Sequence, residues 1–347
     1  MPSRADDGAP AQGLLQPGGR TGGRLLRWLK PVVSVSLYAI IFRFSDTSAI
    51  LGRLSVARLE FVAAGVLLYA GGQALSAWRW RMLLQPVALS VPYRRMVSFY
   101  FIGMFFNLFL PTIIGGDAVK ALLLARETGQ PARATISVFM ERNLGLLALL
   151  LIASVAAWWA PPITLFHLPL TALALLLSLA FIGVNVVLMR PAIYQAVDRI
   201  IVSTPLRRLQ GRAASIYAAI TPYWAAHRVL VNAFALSLAF QAIVIGVVFL
   251  NARALRYDLP LIAVAVFVPL ISLGGMLPVS VNGLGVREAL YILLFGRIGV
   301  STELAVSLAL LYLAVTFVAS LPGGLMYALQ PAPQRILAAQ RAASDVR

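Results

Sequence analysis

The length of the apolar runs constrains this chain more than any other feature. Blocks almost free of charge occupy about 31–47, 61–85, 96–111, 135–160, 168–189, 229–250, 260–278 and 303–329. A helix rising ~1.5 Å per residue needs about 20 such residues to cross a hydrocarbon core of ~30 Å. Composition agrees: 60% of the 347 residues are hydrophobic and 12% are charged, half the ~25% charge of a soluble domain. The fold class is therefore all-α, a polytopic membrane helical bundle.

The formal net charge is +17, and arginine supplies nearly all the positive charge, with Lys30 and Lys120 the two lysines. The arginines lie between apolar spans rather than on one polar face, which excludes a nucleic-acid partner. Arg20, Arg24, Arg27 and Lys30 precede the first block. Arg79, Arg81, Arg94 and Arg95 fall between the second and third. Arg190, Arg199, Arg207, Arg208, Arg212 and Arg228 follow the fifth, and Arg335, Arg341 and Arg347 the last. Residues 161–168 hold no lysine or arginine. By the positive-inside rule this pattern predicts an inner-membrane protein with both termini in the cytoplasm.

With no cysteine, disulfides, thiolate metal sites and cysteine nucleophiles are excluded. His167 and His227 lie in separate loops, so no metal or other cofactor is expected. Residues 1–30 are rich in glycine and proline and read as a disordered, basic cytoplasmic N-terminus. They do not read as a cleaved leader, because 31–42 runs into Arg43 without a small-residue cleavage site. A transmembrane domain over 31–330 and a short cytoplasmic tail over 331–347 complete the expected organisation.

Six blocks, at 31–47, 61–85, 135–160, 168–189, 229–250 and 303–329, are expected to cross once each. The segments 96–126 and 260–296 are expected to enter and return. Their second arms, 117–126 and 286–296, are too short to cross. Parity alone leaves a re-entrant hairpin and two full crossings both open; length favours re-entry.

The two hairpins share a pattern. The first contains Leu110-Pro111, then Gly115-Gly116-Asp117 and Lys120; the second contains Leu277-Pro278, then Ser280, Asn282, Gly283, Gly285 and Arg287-Glu288. Proline stops the incoming helix and glycine permits the reversal. Asp117 and Asn282 are candidate N-caps for the outgoing helices. A helix broken inside the membrane exposes N–H groups that suit an anion such as phosphate. Paired interrupted segments in two halves point to a transporter binding site, and opposite entry would make them an inverted repeat.

Charges within the apolar register add to this. Glu141 and Arg142 lie inside the block 135–160, where each charge costs about 2.5–3.5 kcal/mol unless paired or facing a cavity. Glu141 is expected to meet Lys120 or Arg287, and Arg142 to meet Asp117 or Glu288. The blander readings are a boundary pair snorkelling to the interface and ordinary cytoplasmic anchors at Lys120 and Arg126. Gln73, Asn107, Asn185 and Gln241 are candidates for interhelical hydrogen bonds.

The combined pattern, Asn107 to Pro111, Gly115-Gly116-Asp117 with Lys120, Glu141-Arg142, and Pro278 to Glu288, resembles the transmembrane region of lysylphosphatidylglycerol synthases, a flippase-like family. The resemblance spans roughly residues 30–330. It implies movement of aminoacylated phosphatidylglycerol between leaflets, made in the synthases by a separate soluble domain. Here 17 residues follow Gln330, so lipid aminoacylation is not expected of this chain. Lys120 stands where the pattern leads one to expect arginine, a mild change for a phosphate contact.

The leading expectation is binding and translocation of a phospholipid or other lipid anion, whether an anionic or aminoacylated phospholipid or a hopanoid-like lipid. Asn107, Gly115, Gly116, Asp117, Lys120, Glu141, Arg142, Ser280, Asn282, Gly283, Gly285, Arg287 and Glu288 form the candidate headgroup site. The sequence has no GxxxxGK[ST] element, so transport would run downhill or on an ion gradient or membrane potential. The alternatives are a non-transporting accessory subunit of a lipid-modifying system and an intramembrane lipid-linked transferase. Neither catalytic residues nor enzyme activity are expected. A homo-oligomer or a lipid-synthesis enzyme remain open as partners.

Overall fold

A computed structural model describes residues 22–110, 115–160, 163–165, 168–188 and 210–329, together with Arg199. The expected N-terminal segment before residue 22, Pro111, His167, most of the arginine-rich stretch after the fifth block and the expected C-terminal tail lie outside the described residues. The described elements are helices apart from a two-residue ladder, Thr164–Leu165 against Leu168–Pro169, in the stretch without cations.

The apolar blocks set the helices. α1 (Gly22–Phe44) starts eight residues before the expected boundary at 30 and carries Pro31 without breaking. α2 (Thr47–Ser55) follows a bend of 91°. Its N-cap is Asp46, whose carboxylate accepts from the Ser48 and Ala49 N–H groups, the reason the chain restarts as a helix there. The apolar blocks did not foreshadow α2. α3 (Leu59–Leu83), α4 (Tyr93–Asn107), α5 (Gly115–Thr128), α6 (Pro131–Trp159) and α7 (Leu170–Leu188) come next. α8 (Gln210–Ala225) was not anticipated. α9 (His227–Ala254), α10 (Leu261–Gly275), α11 (Val286–Gly296) and α12 (Thr302–Ala328) complete the described bundle.

Four helices, α3, α6, α9 and α12, are long and apolar enough to cross a membrane, and the bent pair α1–α2 brings the number to five only if the pair is one span. α7 is apolar over a shorter stretch, Leu170–Val186. The arms α4, α5, α10 and α11 have 15, 14, 15 and 11 residues. At ~1.5 Å per residue none exceeds about 23 Å, short of a ~30 Å core.

The two hairpins enter from opposite ends of the bundle. At one end, Arg133 donates to the Val87 carbonyl at 3.2 Å and Arg95 pairs with Glu127 at 3.8 Å. These contacts gather the end of α3, the start of α4, the end of α5 and the start of α6. There too Tyr223 on α8 donates to the Leu83 carbonyl at 2.6 Å. At the other end the Arg58 N–H, just before α3, donates to the Ala254 carbonyl closing α9 at 2.9 Å. The second hairpin leaves from that end, a few residues after Ala254.

Each hairpin sits in its own core. One cluster, including Trp80, Met96, Leu124, Met140 and Ala233, surrounds the first hairpin. The other, including Ala153, Val244, Phe267, Phe295 and Leu308, surrounds the second. On α6 the change-over falls between Leu144 and Ala153, and on α9 between Ala233 and Val244. The polar chambers open at that seam.

Candidate functional site

The first hairpin builds a buried ion network. α4 and α5 approach so closely that a Cβ on Gly116 would strike the Gly103 carbonyl, and a Cβ on Gly103 would lie 2.6 Å from the Lys120 side chain. This approach carries Lys120, 5% exposed, into the bundle. Its Nζ lies 2.9 Å from Glu141 Oε2 and 3.0 Å from Asp117 Oδ1. It also sits 4.2 Å from the Tyr100 ring centroid, within cation–π range.

Glu141, 2% exposed, accepts three side-chain donors: Lys120, Arg79 Nη2 at 2.5 Å and the Tyr100 hydroxyl at 2.8 Å. Arg142 donates to Asp117. Glu141 thus meets Lys120 as expected, and Arg142 meets Asp117. Asp117 is not an N-cap: it lies in the first turn of α5 with both carboxylate oxygens held by cations. The helix start is satisfied instead by Asn107 Oδ1, which accepts the Gly116 N–H at 3.3 Å.

Arg79 corrects the loop-charge reading. It is 4% exposed, donates to Ser237 at 2.9 Å and Glu141, and has an Nε without a partner among the described residues. Its neighbour two positions on, Arg81, is exposed and packs over Trp78. The signal was available: although grouped above with the cations between the second and third blocks, Arg79 falls within the bounds 61–85 of the second, where a charge calls for a buried partner.

The second hairpin spends its charges differently. α10 ends at Gly275, before Pro278, as the constraint on residues preceding proline favours. Pro269 inside α10 does not end it. The chain then turns through a short 3₁₀ stretch, Val281–Gly283. Asn282 adopts a left-handed φ of 49° there and is not an N-cap of α11. Glu288 caps its own helix: one carboxylate oxygen accepts the Gly285 N–H at 2.7 Å and the other the Tyr38 hydroxyl at 3.0 Å. It therefore pairs with neither Arg142 nor another cation among the described residues. Arg287 does not reach Glu141; Nη2 donates to the Asn282 carbonyl at 3.4 Å and the guanidinium lies 5.9 Å from the Tyr312 ring centroid. No carboxylate pairs with it among the described residues.

The hairpins meet. Asn282 Nδ2 donates to the Asn107 carbonyl at 3.1 Å, and Asn107 Nδ2 lies 3.5 Å from Asn282 Oδ1. Beside this junction is a cavity of about 230 Å³ whose polar lining includes Asn107, Asn282, Arg287, Tyr69, Tyr312 and Thr316. A second cavity of about 140 Å³ is lined by Arg79, Asp117, Lys120, Glu141 and Arg142. The two share Leu149, Phe240, Gln241 and Met276 as a common wall. Gln241 makes an interhelical bond, donating to the Gly145 carbonyl at 3.2 Å; Asn185 bonds within its own helix instead, to the Phe181 carbonyl.

The remaining candidates line neither cavity. Gly115 and Gly116 pack at the start of α5, Gly283 and Gly285 take left-handed φ of 74° and 83°, and Ser280 is buried with a hydroxyl that has no partner among the described residues. Tyr69, Tyr312, Ser272 and Thr316 in the larger cavity were missed, since single hydroxyls in apolar helices carry no sequence signal of their own. Among the described residues no group of histidine and carboxylate side chains is placed to hold a metal.

A helical bundle with two short-armed hairpins meeting at a polar seam defines a polytopic membrane protein. The chain belongs to the lysylphosphatidylglycerol synthase TM region family, whose model matches residues 27–323. It is also similar to a UPF0104 membrane protein of Pyrococcus horikoshii, 23% identical over 137 residues, covering 39% of this chain and 41% of that protein. The match thus spans about two fifths of that relative's length.

Proposed function

We propose that this protein binds the phosphate-bearing headgroup of a membrane lipid at the seam between its hairpins and lets it pass from one leaflet to the other. The observation that carries the reading is Arg287, a guanidinium with no carboxylate partner among the described residues, lining a polar cavity beside the Asn107–Asn282 junction. An unpaired charge at membrane depth is costly and marks a substrate pathway, and guanidinium suits phosphate. The family's name connects it with a phospholipid headgroup.

In this reading α1, α3, α6, α7, α9 and α12 make six crossings and the hairpins are re-entrant from opposite leaflets. Both termini face the cytoplasm of an inner membrane. The hairpins form the fixed centre around which access alternates. Arg287 holds the phosphate, Asn107 and Asn282 supply amide donors and acceptors, and the Arg79–Glu141–Lys120–Asp117–Arg142 network anchors the opposite wall. No covalent step is involved.

The test is exchange of acyl-labelled phospholipid in sealed vesicles, read by quenching the outer leaflet. Exchange above protein-free vesicles, falling about tenfold or more in Arg287→Gln, is expected. Exchange that persists in a correctly folded Arg287→Gln protein would remove the reading.

A further inference from the structure

The charges lining the two cavities do more than mark a headgroup site. Three cations, Arg79, Lys120 and Arg142, face two carboxylates, Asp117 and Glu141, in the smaller cavity. Both oxygens of each carboxylate are already held by cationic or hydroxyl donors. Arg287 adds a further positive charge in the larger cavity. The third acid of the hairpins, Glu288, is 1% exposed, turned to Tyr38 and its own helix start, and absent from both linings. Among the described residues, then, the two adjoining cavities carry excess positive charge and hold no carboxylate left to receive an ammonium.

We infer that, within the translocation reading on which this rests, the site selects an anionic, hydroxyl-bearing phosphoglycerol headgroup and rejects a headgroup carrying a free amine. Phosphate pairs with Arg287. The hydroxyls of Ser272 and Thr316 donate to the Val268 and Leu313 carbonyls at 2.8 and 2.9 Å, and Gln241 to the Gly145 carbonyl; the oxygens of all three line the same cavity as acceptors for the hydroxyls of a glycerol. An aminoacylated headgroup is disfavoured twice. Its two ammonium groups outweigh its phosphate and meet like charge in a low-dielectric site. It is also larger, and the cavity of about 230 Å³ falls below the ~300–1,000 Å³ typical of sites for drug-sized ligands. The lipid in the family's name is thus the poorer ligand for this member.

The test is competitive retention by native mass spectrometry. The full chain in detergent is offered equal phosphatidylglycerol and lysylphosphatidylglycerol of matched acyl chains. Phosphatidylglycerol is expected to be retained about tenfold or more over the lysyl lipid. Because the chain's +17 formal charge attracts anionic lipid to its loops as well, Arg287→Gln is the control, and it should collapse the preference. Equal or greater retention of the lysyl lipid overturns the inference, as does a preference untouched by Arg287→Gln. Vesicle exchange of the same two lipids separates the claims. Lysyl lipid crossing as fast as phosphatidylglycerol refutes the selectivity and leaves translocation standing. No exchange of either lipid, with selective retention intact, refutes translocation and leaves the selectivity.

Discussion

The two hairpins look alike as sequences and behave as opposites as structures. Each has a proline, paired glycines, and an acid near a cation. In the first hairpin the charges are locked together: Lys120 joins Glu141 and Asp117, and Arg79 and Arg142 close the network. In the second they are kept apart: Glu288 turns back to cap α11, and Arg287 lines the cavity without a carboxylate paired to it among the described residues. The same residue types at similar spacing thus make a closed ion network in one half and, among the described residues, an arginine without an acid partner in the other. What differs is whether a carboxylate reaches across from another helix. α6 supplies Glu141 to the first hairpin, and no described helix supplies an acid to Arg287.

That contrast is broken or kept most decisively by removing Glu141. In Glu141→Gln the buried Arg79 and Lys120 lose their shared counter-charge, and breaking a buried pair in this way costs about 3–5 kcal/mol. Arg287→Gln removes a charge with no carboxylate partner and is expected to leave thermal stability close to wild type. Thermal unfolding of both variants in one detergent measures the difference. A similar loss in both proteins would mean that the second hairpin is also a structural clamp.

The turns of the hairpins come next in size. Gly283 has a left-handed φ of 74°, and a Cβ there would lie 2.7 Å from the Gly275 carbonyl. Gly283→Ala therefore combines backbone strain with a clash against a fixed atom, a loss of about 1–3 kcal/mol. It should also weaken lipid exchange, because the turn positions both Asn282 and Arg287. Unchanged melting and exchange in this variant would show that the turn has room to relax and does not set the site.

The apolar blocks made nearly every long helix legible, because burial in lipid demands unbroken hydrophobic length. α2 and α8 escaped notice because neither is a long apolar run: the first depends on the Asp46 cap and the second carries polar residues along its length. At the site, the intramembrane charges and broken segments drew attention to Lys120, Glu141, Arg142 and Arg287. Their pairing was only half legible. Local spacing brings Asp117 near Lys120, but which helix faces which decides that Arg79, not Arg287, meets Glu141. The capping roles went the wrong way for a similar reason. Asp117 has the chemistry of a cap, yet two cations claim its carboxylate, so Asn107 from the preceding helix serves in its place.

The smallest predicted effect isolates the cap on the second hairpin. In Glu288→Gln the amide oxygen can still accept the Gly285 N–H, but the amide NH2 then faces Tyr38, whose hydroxyl must turn from donor to acceptor. The side chain also loses the negative charge that favours a helix N-terminus. Together these cost about 1 kcal/mol. The loss should be local: amide hydrogen exchange should quicken at the first turn of α11 and where α1 passes Tyr38, while the network around Glu141 stays protected. Lipid exchange should hold near wild type, because Glu288 lines neither cavity and Arg287 is untouched. If Glu288→Gln instead abolished exchange as fully as Arg287→Gln, the carboxylate would belong to the pathway itself. The second hairpin would then work by a charge pair that opens and closes, rather than by a lone arginine held ready for phosphate.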